Sequence, residues 1–149
     1  MNAMPILAPC PPLPQGLFAT GRVLISLRGD NGRPRATQAL AFNSVSLTPA
    51  IVVWVLGKDE ELHFSLDRAC GVSVLAGGQP PSLLHWQPGE ELGAPLATDS
   101  LASFEAVVFD RIDCGDEVVH FAQLASFRRG TGETGDVALR GQVHGCRAL

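Results

Sequence analysis

The feature that most constrains this chain is a series of short β-type segments separated by strong turn signals. Residues 23–28 (VLISLR) nearly alternate apolar and polar, and a Gly-Asp-Asn-Gly sequence then predicts a turn into a second strand over 35–41. Residues 104–112 and 118–127 form a second predicted hairpin, joined by Asp-Cys-Gly-Asp. Because strands do not alternate regularly with helices, the pattern favours an antiparallel barrel or closed sheet over a parallel one.

The segments between these hairpins complete the predicted fold. Residues 42–49 are rich in small polar side chains and predict a turn or short helical stretch on the surface of a cleft. Residues 51–56 are continuously apolar and predict a strand buried on both faces. A helix of about ten residues is expected from Asp59, with Leu62, Leu66 and Ala69 facing inward. Shorter elements are a strand over 71–76, a short helix around Ser82–Trp86, a loop over 90–101 and one strand within 137–149.

Length and composition indicate one core-forming domain. The chain has 149 residues, of which 46% are hydrophobic and only 17% are charged. We expect a Pro-rich arm over residues 1–16, followed by a single domain over 17–149. A surface so poor in charge favours burial of part of it in a homodimer.

Charge and cysteine usage exclude several classes of protein. The net charge is −4 and the arginines are scattered, which argues against nucleic-acid binding because phosphate neutralisation needs clustered cations. No apolar run approaches the ~20 residues of a membrane span, and no signal peptide is recognisable. The four cysteines and four histidines have no metal-ligand spacing, so we expect no metal site and a reduced, cytoplasmic protein. No nucleophile elbow, phosphate-binding loop or dinucleotide fingerprint occurs, and the Gly-rich residues 130–135 predict a flexible loop.

One block of sequence carries a family resemblance. Seven residues match the pattern F-x-S-V-S-L-D-P-P-L-V: Phe42, Ser44–Leu47, Pro49 and Val52. Weaker landmarks stand in the order of the same family pattern along residues 17–145. These landmarks are Thr20-Gly21, Cys70–Leu75, Gly115-Asp116 and Leu139–Gly141. The chain therefore resembles the flavin reductase family, whose fold is the FMN-binding split barrel. The resemblance implies a mainly β protein: an antiparallel, Greek-key-like split barrel of six or seven strands with two or three short helices.

The resemblance also implies a site and a reaction. FMN, or FAD, would bind at a dimer interface, and NAD(P)H would be the reductant. Reduced flavin would pass to a partner oxygenase, as in the small components of two-component monooxygenases. Hydride transfer needs mainly positioning of the two rings, which agrees with the absence of a catalytic triad. The flavin contacts would be Gln38, Ala39, Leu40, Ala41, Ser44, Val45 and Ser46, with Lys58 at the phosphate and Glu117, in place of the family's His, on the nicotinamide side.

A second hypothesis is a split barrel that has lost flavin. Leu40 and Ala41 stand where the family has polar residues, and acidic residues 59–61 follow Lys58. Such a protein would bind a small molecule as an accessory protein, or catalyse a non-redox reaction in the same cleft. A pyridoxamine-phosphate-oxidase-like or haem-handling barrel would need clustered basic ligands, which we do not find.

Overall fold

Strands make up all the regular secondary structure of the described chain. The computed structural model describes residues 20–60, 62, 64–78, 84–130, 134–139 and 142–147. The strands are β1 (Thr20–Gly21), β2 (Val23–Arg28), β3 (Pro34–Gln38), β4 (Ala41–Leu47), β5 (Ala50–Gly57), β6 (Ala69–Val74), β7 (Trp86–Pro88), β8 (Pro95–Ala97), β9 (Ala102–Cys114), β10 (Glu117–Arg129), β11 (Thr134–Leu139) and β12 (Gln142–Arg147).

Seven of these strands form one antiparallel sheet in the order β3-β2-β6-β9-β10-β5-β4. Both predicted hairpins are confirmed, as β2–β3 and β9–β10. The tight turn of the second hairpin includes Gly115, whose φ of 64° suits glycine. A three-stranded sheet, β1-β11-β12, and a two-stranded sheet, β7-β8, complete the described fold.

The seven-stranded sheet closes into a barrel. Its marginal strands, β3 and β4, are consecutive in the chain and are separated only by Ala39 and Leu40. The Ala39 N–H donates to the Val23 carbonyl at 2.9 Å, while the Leu40 N–H donates to the Val55 carbonyl at 2.9 Å. Since β2 and β5 lie near opposite margins of the sheet, one dipeptide bridges the two sides. The predicted mainly β, antiparallel barrel is therefore confirmed.

Alternate residues of the barrel strands fill its interior. Trp54 and Phe64 are fully buried and meet edge to face, with ring centroids 5.9 Å apart. The core cluster extends over five barrel strands, the Ala39 bridge and the segment after β5, and comprises Val23, Ile25, Leu27, Ala39, Val52, Trp54, Leu56, Leu62, Phe64, Cys70, Val72, Ala106, Val108 and Ala122. This alternation of apolar and polar residues is what a barrel wall requires.

The predicted helices are wrong for the described residues. From Asp59 to Arg68 these residues form turns and irregular backbone instead of a helix. Leu62 and Phe64 are both buried although they are two residues apart, a spacing that suits an extended chain and not one face of a helix. Asp67 has a φ of 61°, which a helix does not allow. In the second predicted helix, residues 82–83 lie outside the described residues and Trp86 begins β7.

Three predicted segments also need correction. Residues 42–47 belong to strand β4 and not to a turn or helix; their polar composition reflects exposure at the barrel margin. Strand β5 is not buried on both faces, because its residues alternate between buried and half-buried. Residues 90–101 include the short strand β8, and two strands, β11 and β12, replace the single strand predicted near the C-terminus.

Glu105 is a fully buried carboxylate that holds the loop before β8. Its Oε2 accepts from the Glu91 N–H at 2.9 Å and from the Ser126 hydroxyl at 2.9 Å. Its Oε1 accepts from the N–H groups of Leu92 and Ala94, at 2.8 and 3.2 Å. Burial alone would raise the pKa of Glu105, but these hydrogen bonds outweigh burial and hold the pKa below its ordinary value.

Several predictions concern residues that the structure does not describe. The Pro-rich arm over 1–16 lies outside the described residues, as do 131–133 of the predicted Gly-rich loop. The single-domain boundary therefore stays a prediction. No helix among the described residues is long and apolar enough to span a membrane.

Candidate functional site

The predicted flavin contacts lie along one margin of the barrel. Gln38 ends β3, Ala39 and Leu40 bridge the two margins, and Ala41 begins β4. Gln38, Ala41 and Leu40 are exposed, the last at 54%, whereas Ala39 is buried in the core. Among the described strands, β4 pairs only with β5, so no described strand pairs with the other edge of β4.

A β-bulge shapes the middle of this margin. Ser44 pairs with Val52 and Ser46 pairs with Ile51, which leaves Val45 without a partner across the ladder. Val45 is 56% exposed as a result. Bulges are common beside binding sites because they redirect a side chain. The Ser44-Val45-Ser46 sequence therefore presents two hydroxyls and one apolar side chain at a local bend of the strand.

Asn43 also lies on this margin and was not predicted from the sequence. Its Oδ1 accepts the N–H of the following residue, Ser44, at 2.9 Å. A ligand that used this N–H would have to displace the amide side chain. The Asn-Ser dipeptide in a predicted turn was the available signal, since Asn readily bonds nearby backbone groups.

Lys58 and Glu117 lie together at the end of the barrel that carries the β9–β10 hairpin turn. The Lys58 N–H donates to the Asp116 carbonyl at 2.9 Å, and Glu117 pairs with Gly57. Ser44 is level with Val52, six residues before Lys58, so the two groups are separated by about 20 Å along the strand at ~3.3 Å per residue. The structure thus brings Lys58 and Glu117 together and holds both well away from the bulge.

A cavity of about 260 Å³ opens at this end of the barrel, and we call it the barrel-end cavity. Charged or polar residues supply part of its wall, and three aliphatic side chains and a glycine supply the rest. The lining residues are Leu56, Gly57, Lys58, Glu60, Leu62, Arg111, Asp113, Val118 and His120.

His120 is the most buried polar group of this cavity, with 2% exposure. Its ring stacks on Trp54, with centroids 5.5 Å apart, and meets Phe64 edge-on at 5.7 Å. Its Nδ1 has no hydrogen-bond partner. Burial, together with the positive charge of Arg111, lowers the pKa of His120 to about 4. The imidazole is therefore neutral at physiological pH.

Hydrogen bonds attach the segment after β5 to the barrel. The Thr37 hydroxyl donates to Glu60 Oε2 at 2.8 Å, which fixes this segment to β3 just before Gln38. One Arg111 N–H donates to the Phe64 carbonyl at 3.1 Å. No role was predicted from the sequence for Arg111, Asp113 or His120. Their alternation with apolar neighbours was the only signal that they share one face of the hairpin.

Comparison with known proteins assigns the family. A sheet that closes into a barrel but leaves one margin open is a split β-barrel. No family model matches the chain. It is 30% identical over 133 residues to the NADH-dependent FAD reductase of Streptomyces globisporus, covering 76% of this chain and 72% of that protein. This chain belongs to the flavin reductase family.

Solved structures agree with this assignment. The NADH:FAD oxidoreductase of Streptomyces globisporus, in complex with NAD and FAD fragments, superimposes with a TM-score of 0.77 at 28% identity. That match covers 87% of this chain and 86% of the other. BorF, the flavin reductase component of a bacterial two-component tryptophan halogenase, gives a TM-score of 0.76 at 31% identity, covering 90% and 94%.

Proposed function

We propose that this protein is an NAD(P)H-dependent flavin reductase that uses FMN or FAD. The observation that carries this proposal is its 30% identity to an NADH-dependent FAD reductase across most of both chains. The family relationship favours a reductase over a barrel that has lost flavin. The cytoplasmic location stays a prediction from the sequence.

The chemistry of the β4 margin fits a flavin. Leu40 and Val45 are exposed apolar side chains that can lie against the ring system. The hydroxyls of Ser44 and Ser46, with backbone groups of the open strand edge, can bond the polar edge of the ring. Lys58 is exposed and lies about 20 Å from the bulge, so the margin offers room for a ribityl chain between ring and phosphate.

In this proposal the protein positions its substrates and supplies no acid or base. Bound flavin supplies the hydride-accepting ring when the nicotinamide reaches it. The β4 margin holds and orients that ring, and the Glu60–Thr37 hydrogen bond keeps the neighbouring end of β3 in place. Glu117, half-buried at the hairpin end, would face the nicotinamide side.

The outer face of the barrel supports a homodimer. Four side chains of β5 and β10 are half-buried on this face: Val53, Val55, Val119 and Phe121. Phe109 is 46% exposed, and its ring lies 6.4 Å from that of Phe121. A contiguous apolar area of this kind marks an interaction surface. A second subunit on it would explain why residues 51–56 have no polar alternation. Transfer of reduced flavin to an oxygenase is the expected purpose, as the description of BorF as a halogenase component suggests.

Flavin titration with matched variants tests the proposal. We expect the fluorescence of FMN or FAD to be quenched to saturation as protein is added. We also expect NADH or NADPH to be oxidised in the presence of flavin. Val45→Glu places a charge on the margin and should weaken flavin binding at least about tenfold. Leu66→Glu is the control, because Leu66 is 54% exposed and Val45 is 56% exposed. Leu66 lies far from β4: the N–H of its neighbour Asp67 donates to the carbonyl of Val108 on β9.

The outcomes separate the two hypotheses. Equal loss of flavin binding in both variants would remove the β4 margin from the site. Absence of quenching in the unmodified protein at high micromolar flavin would favour the barrel that has lost flavin. Sedimentation equilibrium tests the dimer, and Phe109→Glu should shift it towards monomer if the outer face is the interface.

A further inference from the structure

A β-turn places Lys58 and Glu60 together on the wall of the barrel-end cavity. The Glu60 N–H donates to the Gly57 carbonyl at 3.1 Å, so Lys58 occupies the second position of this turn. Both residues line the cavity. An anion that pairs with the Lys58 ammonium therefore also meets the negative charge of Glu60.

The Glu60 carboxylate is held in place without neutralising Lys58. The Thr37 hydroxyl donates to Glu60 Oε2 at 2.8 Å. Among the described residues, no ion pair within 4.0 Å joins Lys58 to a carboxylate. The lysine is therefore available to an anion, and the carboxylate remains a separate negative charge beside it.

A second pair of opposite charges completes the charged part of the wall. Arg111 lines the cavity from β9, and one of its N–H groups donates to the Phe64 carbonyl at 3.1 Å, which leaves its other donors available. Asp113 lines the cavity two residues further along β9. The cavity thus has two cations from different elements, and each has an acid two residues away in the chain.

FMN and FAD differ in what they would place in such a cavity. FMN ends in a phosphomonoester, which concentrates about 1.5–2 negative charges on one phosphate at pH 7. FAD has a diphosphate, whose two phosphates carry one charge each, followed by an adenosine with ribose hydroxyls. Two separate cations suit two singly charged phosphates. A carboxylate beside a cation opposes a concentrated negative charge, but it accepts hydrogen bonds from hydroxyls.

The cavity also offers contacts for an adenosine. Its volume of about 260 Å³ exceeds the space that one phosphate group occupies. Leu56, Leu62 and Val118 supply an apolar part of the wall, against which a purine ring can pack. His120 lines the same cavity with 2% exposure, and its Nδ1, without a partner among the described residues, can bond a polar group of the ligand.

We propose that Glu60 makes this flavin site select FAD over FMN. This inference rests on the proposed reductase function and concerns the same site. Lys58 and Arg111 take the two phosphates of FAD. Glu60, positioned by Thr37, repels the concentrated charge of the FMN phosphate and accepts a hydrogen bond from a ribose hydroxyl of FAD. Glu60 is thus a specificity-determining residue and takes no part in hydride transfer.

Equilibrium dialysis with three flavins that share one ring tests the selectivity, with each flavin measured by its visible absorbance. Riboflavin has no phosphate, FMN has one and FAD has two. We expect the wild type to bind FAD at least about tenfold more tightly than FMN, because a like charge in a partly buried site costs at least this much. Glu60→Gln keeps an acceptor oxygen for Thr37 and removes the charge. It should tighten FMN binding about tenfold and leave the affinities for riboflavin and FAD within about threefold.

Asp59→Asn is the matched control. Asp59 precedes Glu60 in the same turn and is exposed, but it is not among the described residues that line the cavity. The ratio of FAD to FMN affinity should therefore change by less than about threefold in this variant. An equal change in Asp59→Asn and Glu60→Gln would reduce the effect to net charge and overturn the role of Glu60.

The remaining outcomes separate this inference from the reductase proposal. Equal wild-type affinities for FMN and FAD, or the same affinity ratio in wild type and Glu60→Gln, overturn the selectivity and leave the reductase proposal intact. If Glu60→Gln tightens riboflavin as much as FMN, the effect does not act through the phosphate and the inference fails. Failure of all three flavins to bind the wild type overturns both proposals.

Discussion

Replacement of Glu105 by glutamine tests whether one buried carboxylate holds the loop before β8. Glu105 is fully buried and accepts four hydrogen bonds, three of them from backbone N–H groups. Glutamine has nearly the same shape but keeps only one acceptor oxygen and adds two donors. The substitution therefore removes charge and acceptors while it leaves the packing volume unchanged.

The expected loss follows from the individual contacts. If the amide nitrogen takes the place of Oε2, it faces the Glu91 N–H, which is also a donor, and the Ser126 hydroxyl. The hydroxyl can turn and accept, whereas the N–H stays without a partner. With about 1.5–3 kcal/mol for each hydrogen bond to a charged group, the net loss is about 3 kcal/mol. That loss lowers the melting temperature of a domain of this size by roughly 10 °C.

Urea unfolding of both proteins as a function of pH is the assay. The pKa of Glu105 in the folded protein lies below its ordinary value of 4.5. The stabilisation should therefore be complete above about pH 4.5 and should be lost as the pH falls through the folded pKa. Since protonated Glu105 resembles glutamine, the two unfolding free energies should converge in acid.

Glu90→Gln is the matched control. Its side chain is 79% exposed and its ion pair with Arg128 lies at the surface, so the change should be below about 1 kcal/mol. Ser126→Ala is a milder variant that removes one bond to Glu105, in case the glutamine variant does not fold. A difference between wild type and Glu105→Gln below 1 kcal/mol, or one independent of pH, would refute the reasoning.

Three further predictions concern stability and reactivity. Because the folded pKa of His120 is about 4, against 6.5 unperturbed, stability should fall by up to about 3 kcal/mol between pH 6.5 and 4, and urea unfolding of His120→Phe should lack this component. Gly89→Ala should destabilise by about 1–3 kcal/mol, because a Cβ would overlap the Glu105 carboxyl, whereas Gly21→Ala has open space and should be neutral in thermal unfolding. Burial raises the pKa of Cys70 to about 12, so peptide mapping should find it unmodified by iodoacetamide until the protein unfolds.

The β4 margin shows which features of the site the sequence could predict and which it could not. The residues from Gln38 to Ser46 were selected through a family motif, and most of them do lie along one exposed margin. The conformation of residues 42–47 was predicted wrongly, because an exposed marginal strand shows no alternation of apolar residues. Hydrogen bonding to β5 defines β4, and a partner strand is not visible in the local sequence.

The segment after β5 was predicted to be a helix, but its described residues form turns and irregular backbone. Acidic residues at its start and spaced leucines predicted a helix, since both features suit one. Burial of Leu62 and Phe64 in the barrel end takes precedence over that local preference. Tertiary packing commonly overrides propensity in this way.

The sequence by itself determined both hairpins, the apolar strands of the barrel and the family. These features rest on local alternation, turn residues and motif order, all of which are readable along the chain. Only the tertiary structure decided the closure through Ala39 and Leu40, the buried hydrogen bonds of Glu105 and the barrel-end cavity. The reason is physical: Glu60, Arg111 and His120 meet only because the register of three strands brings distant residues to one end of the barrel.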